Sequence, residues 1–190
     1  MKPVFLFVDL LEDFFANPPL SDRRPRICAA VNDLVGFARQ HAYPIVWVRQ
    51  EFEPDLSDAF VSMRETGTRI TIKGTGGSDL LTELQRAPND HEIVKKRYSA
   101  FFGTNLARLL DELGCDRIVM GGVNTHACVR SSAVDAFQMD YRIILAAETI
   151  SSYDEQYHRE SMRYLEQSIG KAMSNVEIRD HLERRVRGPT

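Results

Sequence analysis

Short continuous apolar runs alternate with stretches of helical period along most of this chain. Pro3 to Val8, Tyr43 to Arg49, Glu92 to Lys95, Arg117 to Gly121 and Arg142 to Ala147 read as strands, several apolar enough to be buried on both faces. A short segment near Lys171 to Ser174 is read as a sixth. Ile27, Val31, Leu34, Val35 and Ala38 recur at the spacing of one helix face, as do Leu106, Leu109, Leu110 and Leu113. A third helix follows Cys128, with Val129, Ala133, Ala136 and Phe137 in period, and runs to about Asp140. Ser152 and Glu155 have capping-box spacing and open a helix through Met162, Leu165 and Ser168, and Val176 to Arg184 reads as a terminal helix. Pro18, Pro19 and Pro25 mark a loop, and Phe52 to Asp90 is the least regular stretch, with a short helix expected at Asp79 to Leu84. Such alternation predicts an α/β fold of three layers: a Rossmann-like, doubly wound, mostly parallel sheet of about six strands with helices on both faces.

Length and charge narrow the partners. No Pro/Gly/Ser-rich linker divides the 190 residues, so residues 1–190 are read as a single domain. A net charge of −3, with Lys and Arg scattered, supplies no basic footprint for nucleic acid. No apolar run approaches the roughly 20 residues needed to span a bilayer, and MKPVFLFVDLLED reaches charged residues too soon for a signal peptide. A cytoplasmic protein without a membrane partner is expected. Cys28, Cys115 and Cys128 are an odd number at wide spacings, which argues for free thiols.

Candidate chemistry gathers at strand ends. Asp9 follows the first strand, Lys95 ends the third, and Cys128 lies where the fourth gives way to a helix. In open α/β sheets the C-terminal edge is the ligand side, so a doubly wound fold can bring the three together. A helix N-terminus carries about half an elementary charge, which favours thiolate, and offers free N–H groups to an oxyanion. Each residue also has a plainer reading: Cys128 as a buried apolar side chain, Asp9 as a turn residue, Lys95 as a solvated charge. His41, His91, His126, His158 and His181 have no metal-ligating spacing, and no metal is expected. The loop Gly74 to Ser78 lacks the lysine of a P-loop, and Val134 stands where a cysteine phosphatase cradle needs arginine.

Three separated blocks, VDLLEDF at Val8 to Phe14, KKRYSAFFGTNL at Lys95 to Leu106 and GGVNTHACVRSSAVDAF at Gly121 to Phe137, together resemble the isochorismatase-like cysteine hydrolases. The resemblance implies Cys128 as nucleophile, Asp9 as general base and Lys95 as the cation that holds thiolate and carboxylate, with Lys96 a solvated neighbour. It further implies a cis peptide between Val123 and Asn124, an oxyanion hole made by the Asn124 and Cys128 N–H groups, and substrate contacts from Phe14 and Asn124. Metal-binding nicotinamidase-like members carry an aspartate and histidines after the second strand, where this chain has Arg49, Gln50 and Glu51, and Leu11 and Glu12 replace a common Gln-Asn pair. The activity implied is cofactor-free hydrolysis of a C–N bond in a small amide, carbamoyl or ureido substrate through a thioester, by a homo-oligomer, dimer or tetramer. Two alternatives stand beside it: vinyl-ether hydrolysis with Asp9 as acid, and a non-catalytic binding domain. Arg49, Arg69 and the Gly74 to Ser78 loop are candidates to face a substrate carboxylate.

Overall fold

The computed structural model describes residues 2–186. Six strands, β1 (Lys2–Val8), β2 (Ile45–Gln50), β3 (His91–Lys95), β4 (Cys115–Gly122), β5 (Arg142–Ile150) and β6 (Gly170–Met173), form one sheet in the order β3-β2-β1-β4-β5-β6. Every pairing is parallel. The chain runs outward from β1 to β3, then returns across β1 to build the other half. This places the topological switch point between β1 and β4, where a ligand crevice belongs.

Strand residues alternate between two cores. Phe5, Phe7, Trp47 and Val119 pack toward α1 (Leu20–Gln40) and α6 (Asn175–Val186). Val4, Leu6, Val8, Val46, Val48 and Met120 pack on the opposite face with α3 (Leu106–Glu112), α4 (Arg130–Gln138) and α5 (Glu155–Ser168). Burial of both faces explains why the strands read as continuous apolar runs. Residues 51–90 cross the top of β2 and β3 with only α2 (Val61–Thr66) and one 3-10 turn, Gly76–Ser78.

Three local expectations are corrected. The proline-marked loop is shorter than expected, because α1 already starts at Leu20 and contains Pro25. Pro25 is the sixth residue of that helix, so the helix forgoes the bond that an N–H there would donate to Ser21 O. Asp79 to Leu84 is not helical: Leu80 bridges Leu11 and the Leu81 N–H donates to Leu10 O, which buries Leu80, Leu81 and Leu84 against β1's continuation. The α5 cap is Asp154, whose Oδ1 accepts the Tyr157 N–H at 2.8 Å, so Ser152 and Glu155 form no capping box. A reciprocal box does exist before α6, where Ser174 and Glu177 exchange side-chain-to-backbone bonds.

Candidate active site

The geometry of β4 sets the site. A β-carbon on Gly121 would lie 2.2 Å from Thr149 Oγ1, and one on Gly122, at φ +126°, would lie 2.0 Å from the Val8 carbonyl oxygen. Only glycine allows that approach. β4 therefore ends against the end of β1, with the Val123 N–H donating to Val8 O at 2.9 Å. The chain then turns through a cis Val123–Asn124 peptide into a single π turn, Thr125–Val129. Asn124 O accepts from both Ala127 N (3.0 Å) and Val129 N (3.3 Å), which winds the turn so that Cys128 faces the β1 and β3 ends.

Asp9 leaves β1 in the left-handed region (φ +55°), which aspartate tolerates better than most residues. Its backbone is held by Asp9 N→Val48 O and Leu11 N→Asp9 O, each 2.9 Å. Lys95 reaches across β2 to Asp9. Its Nζ lies 2.6 Å from Asp9 Oδ2, donates to Cys128 Sγ at 3.4 Å and to Arg97 O at 3.1 Å. Asp9 and Lys95 are wholly buried and Cys128 almost so. Apart from Lys95 and the Cys128 thiol, the Asp9 carboxylate has no hydrogen-bond partner, so its lone pairs remain available to a proton.

Charge and burial compete at this triad. Burial opposes the Lys95 charge, but Asp9 and Cys128 outweigh it and raise the ammonium above its ordinary range. The Cys128 thiol is pushed up, first by burial and then by the Asp9 charge, with Lys95 opposing. The expected thiolate preference at a helix start is thereby corrected. Cys128 sits inside a buried turn beside a carboxylate, and that environment outweighs about half a unit of helix charge. Cys128 therefore favours the thiol, beside a Lys95 that favours the ammonium.

Other predicted residues fall differently. Phe14 lies in a 3-10 turn, Glu12–Phe15, half-buried against the α1-side core, whereas Cys128 belongs to the opposite core. Arg49 is committed to Glu51 (3.0 Å), Glu92 (2.9 Å) and Ser78 O (3.0 Å), and Arg69 is exposed and donates to Pro54 O. Gly77 packs its backbone on Asp13, so the 74–78 loop is tied into the fold. Lys96 pairs with Asp58 at 2.8 Å.

Three contributors escaped the sequence reading. Ser132 Oγ donates to Cys128 O at 2.7 Å and accepts from Ala100 N at 2.9 Å, linking the cysteine turn to the loop after Lys95. Its signal was a serine four residues after the cysteine, a spacing from which a hydroxyl bonds back. Gln50 is paired in register with Lys95, and its buried Nε2 has no partner among the described residues. The 151–158 segment braces Asn124 and Thr125, with the Tyr153 N–H donating to Asn124 Oδ1 at 3.2 Å. No local pattern marks that long-range contact.

Comparison with known proteins places this arrangement. A family model described as the isochorismatase domain matches residues 3–177. An uncharacterized isochorismatase family protein, PncA of Bacillus subtilis (strain 168), is 35% identical over 181 residues, covering 90% of this chain and 97% of its own. Maleamate amidohydrolase of Pseudomonas putida is 28% identical over 188 residues, covering 95% of this chain and 87% of its own. The crystal structure of N-carbamoylsarcosine amidase from Thermoplasma acidophilum superposes with a TM-score of 0.79 at 26% identity, covering 92% of this chain and 96% of that one.

Proposed function

Since the chain belongs to the isochorismatase family, we propose that it is a hydrolase cleaving a C–N bond of a small amide, carbamoyl or ureido compound through a thioester at Cys128. One observation carries the reading: the buried Lys95 ammonium lies 2.6 Å from Asp9 and 3.4 Å from Cys128 Sγ. A base, a cation and a nucleophile thus meet at the topological switch point. The amidohydrolase names of full-length relatives support the substrate class.

In this mechanism Sγ attacks the substrate carbonyl carbon as its proton passes to Asp9. A raised thiol pKa requires that transfer to accompany the attack, because little thiolate exists beforehand. Lys95 stays charged and offsets the negative charge that moves between Asp9 and the thiol. The oxyanion accepts hydrogen bonds from the Asn124 and Cys128 N–H groups, donors worth about 10²- to 10³-fold in rate in comparable sites. Ammonia or an amine departs with the proton from Asp9. Asp9 next takes a proton from water, whose oxygen attacks the thioester carbon; the C–S bond breaks, the acid leaves, and Asp9 returns its proton to Sγ. Gln50 Nε2 is a donor available to a polar group of the substrate, and Phe14 is assigned to the pocket wall.

The same proposal takes residues 1–190 as one cytoplasmic hydrolase domain working without metal or cofactor. It also takes the enzyme as a homo-oligomer; exposed Tyr98, Phe102, Tyr153 and Tyr157 offer apolar surface of the kind that subunit contacts cover. No described helix is long and apolar enough to cross a membrane. A screen of maleamate, N-carbamoylsarcosine and ureido acids for ammonia release tests the function, with Cys128→Ala as control. Turnover at the wild-type rate by Cys128→Ala would sink the mechanism.

A further inference from the structure

Thr125, the residue after Asn124, is fully buried, and two of its groups meet one acceptor. Its N–H and its hydroxyl approach the Ser151 carbonyl oxygen at 3.0 and 2.8 Å. On the other side of that hydroxyl, 2.7 Å away, is Nδ1 of His158 on α5. A hydroxyl has one proton to give, and a carbonyl oxygen only accepts. Both short contacts are bonding in one arrangement alone: the hydroxyl proton points at Ser151 O, and His158 Nδ1 carries a proton that it donates to Thr125.

We infer that His158 is a positioning residue of the active site, which in its Nδ1–H form clamps Thr125 and thereby fixes the turn from Asn124 to Cys128. The inference rests on the reading of that turn as catalytic and deepens it. The far end of the clamp is anchored as well. Arg23 of α1 donates to Ser151 Oγ at 3.0 Å and to Ser152 O at 3.4 Å, and pairs with Glu155 at 2.8 Å. Helices α1 and α5 therefore grip the 151–158 segment from two sides, and Ser151 O and Tyr153 N hold Thr125 and Asn124 from it.

Burial lowers the pKa of His158; Glu155 raises it and Arg23, Arg159 and Arg26 lower it further, so the ring is neutral at neutral pH. A neutral imidazole carries its proton on one nitrogen, and the contact with Thr125 selects Nδ1. Protonation at Nε2 keeps the Nδ1–H in place. The clamp therefore persists in acid, and His158 adds no acid limb to the rate profile.

The test uses the full chain. Nitrogen-15 spectra at pH 7 should show the Nδ1–H tautomer of His158, and an Nε2–H tautomer would overturn the assignment. His158→Asn places an amide N–H where Nδ1–H stood, whereas His158→Leu places none. For the amide turned over in the screen, kcat should fall about 10- to 100-fold in His158→Leu and stay within about threefold in His158→Asn, with KM near wild type in both. Equal losses in the two variants, or a loss confined to KM, would refute positioning. Hydrogen exchange at the Thr125 amide should be faster in His158→Leu than in His158→Asn, and equal rates would refute the clamp. Tautomer and exchange need no turnover, so they judge the clamp even if Cys128→Ala shows the catalytic reading to be wrong.

Discussion

The switch-point edge and the 51–90 segment lie side by side, yet different forces hold them. At the edge, Lys95 ends β3 while Asp9 and Cys128 lie just beyond β1 and β4, strands whose side chains fill two continuous cores, and the backbone is pinned by the β1–β4 approach at Gly122. The segment has a small core of its own, Phe52, Leu56, Ala59, Met63 and Ile72. Its last part joins the α1-side core through Leu80, Leu81 and Leu84, and residues 51–73 otherwise depend on contacts such as Lys73–Glu53, Arg69→Pro54 O and Arg97→Asp58 O. Exposed ion pairs contribute little. The difference is one of support: Asp9, Lys95 and Cys128 sit where packing over-determines their positions, while the neighbouring segment, where the Phe60 ring makes a tilted contact with Tyr98 and lies under Arg97, is held more weakly.

The sharpest way to break that contrast is at the cysteine. Cys128→Ala should lower kcat by at least about 10⁴-fold while the thermal midpoint stays close to wild type, and Asp9→Asn should lower kcat as far but also lower the midpoint, because it strands the buried Lys95 ammonium; steady-state kinetics and calorimetry measure both. Lys95→Met should lose activity and also stability, by about 3 to 5 kcal/mol in denaturant titration, because it strands the Asp9 carboxylate in the core. Gly122→Ala, with no change to any reacting group, should cost about 2 to 5 kcal/mol through the Val8 clash and the positive φ.

Alkaline pH gives a smaller effect of defined sign. Burial pushes the Cys28 thiol up to about 11 and raises Cys128, whereas in the unfolded chain both titrate near the ordinary thiol value of about 8.5. Above that value the unfolded state binds fewer protons than the folded one, so stability falls as pH rises. Lys95, raised when folded, adds to the same trend at higher pH. Denaturant midpoints measured from pH 8 to 10.5 should decline, and Cys28→Ala should flatten the slope. Phe60→Ala should give the smallest change, with kcat within about twofold of wild type in steady-state kinetics, because the ring packs on the segment's own small core. A kcat loss as large as that of Asp9→Asn would erase the distinction between edge and segment.

Much of the fold was legible because its signals are local and redundant. All six strands and the α3, α4 and α6 regions follow from apolar runs and helical spacing. Helix ends were harder to read, since Ser152 and Ser174 present the same Ser-x-x-Glu spacing and only packing decided which one caps. Asp9, Lys95 and Cys128 were nameable from their blocks. Arg49 was a candidate to face a substrate carboxylate, and its pairing with Glu92 was not legible because that partner lies on the adjacent strand, 43 residues away. The brace from His158 to Thr125 spans 33 residues and left no trace in either local pattern.

The sequence by itself determined which residues can do chemistry and that they stand at strand ends, because strand period and residue type are properties of short segments. Only the tertiary structure decided how those groups are charged. A thiol near a helix start should ionise readily, yet burial beside Asp9 raises its pKa. Protonation depends on the whole surrounding volume, so the triad's resting state had to await the fold.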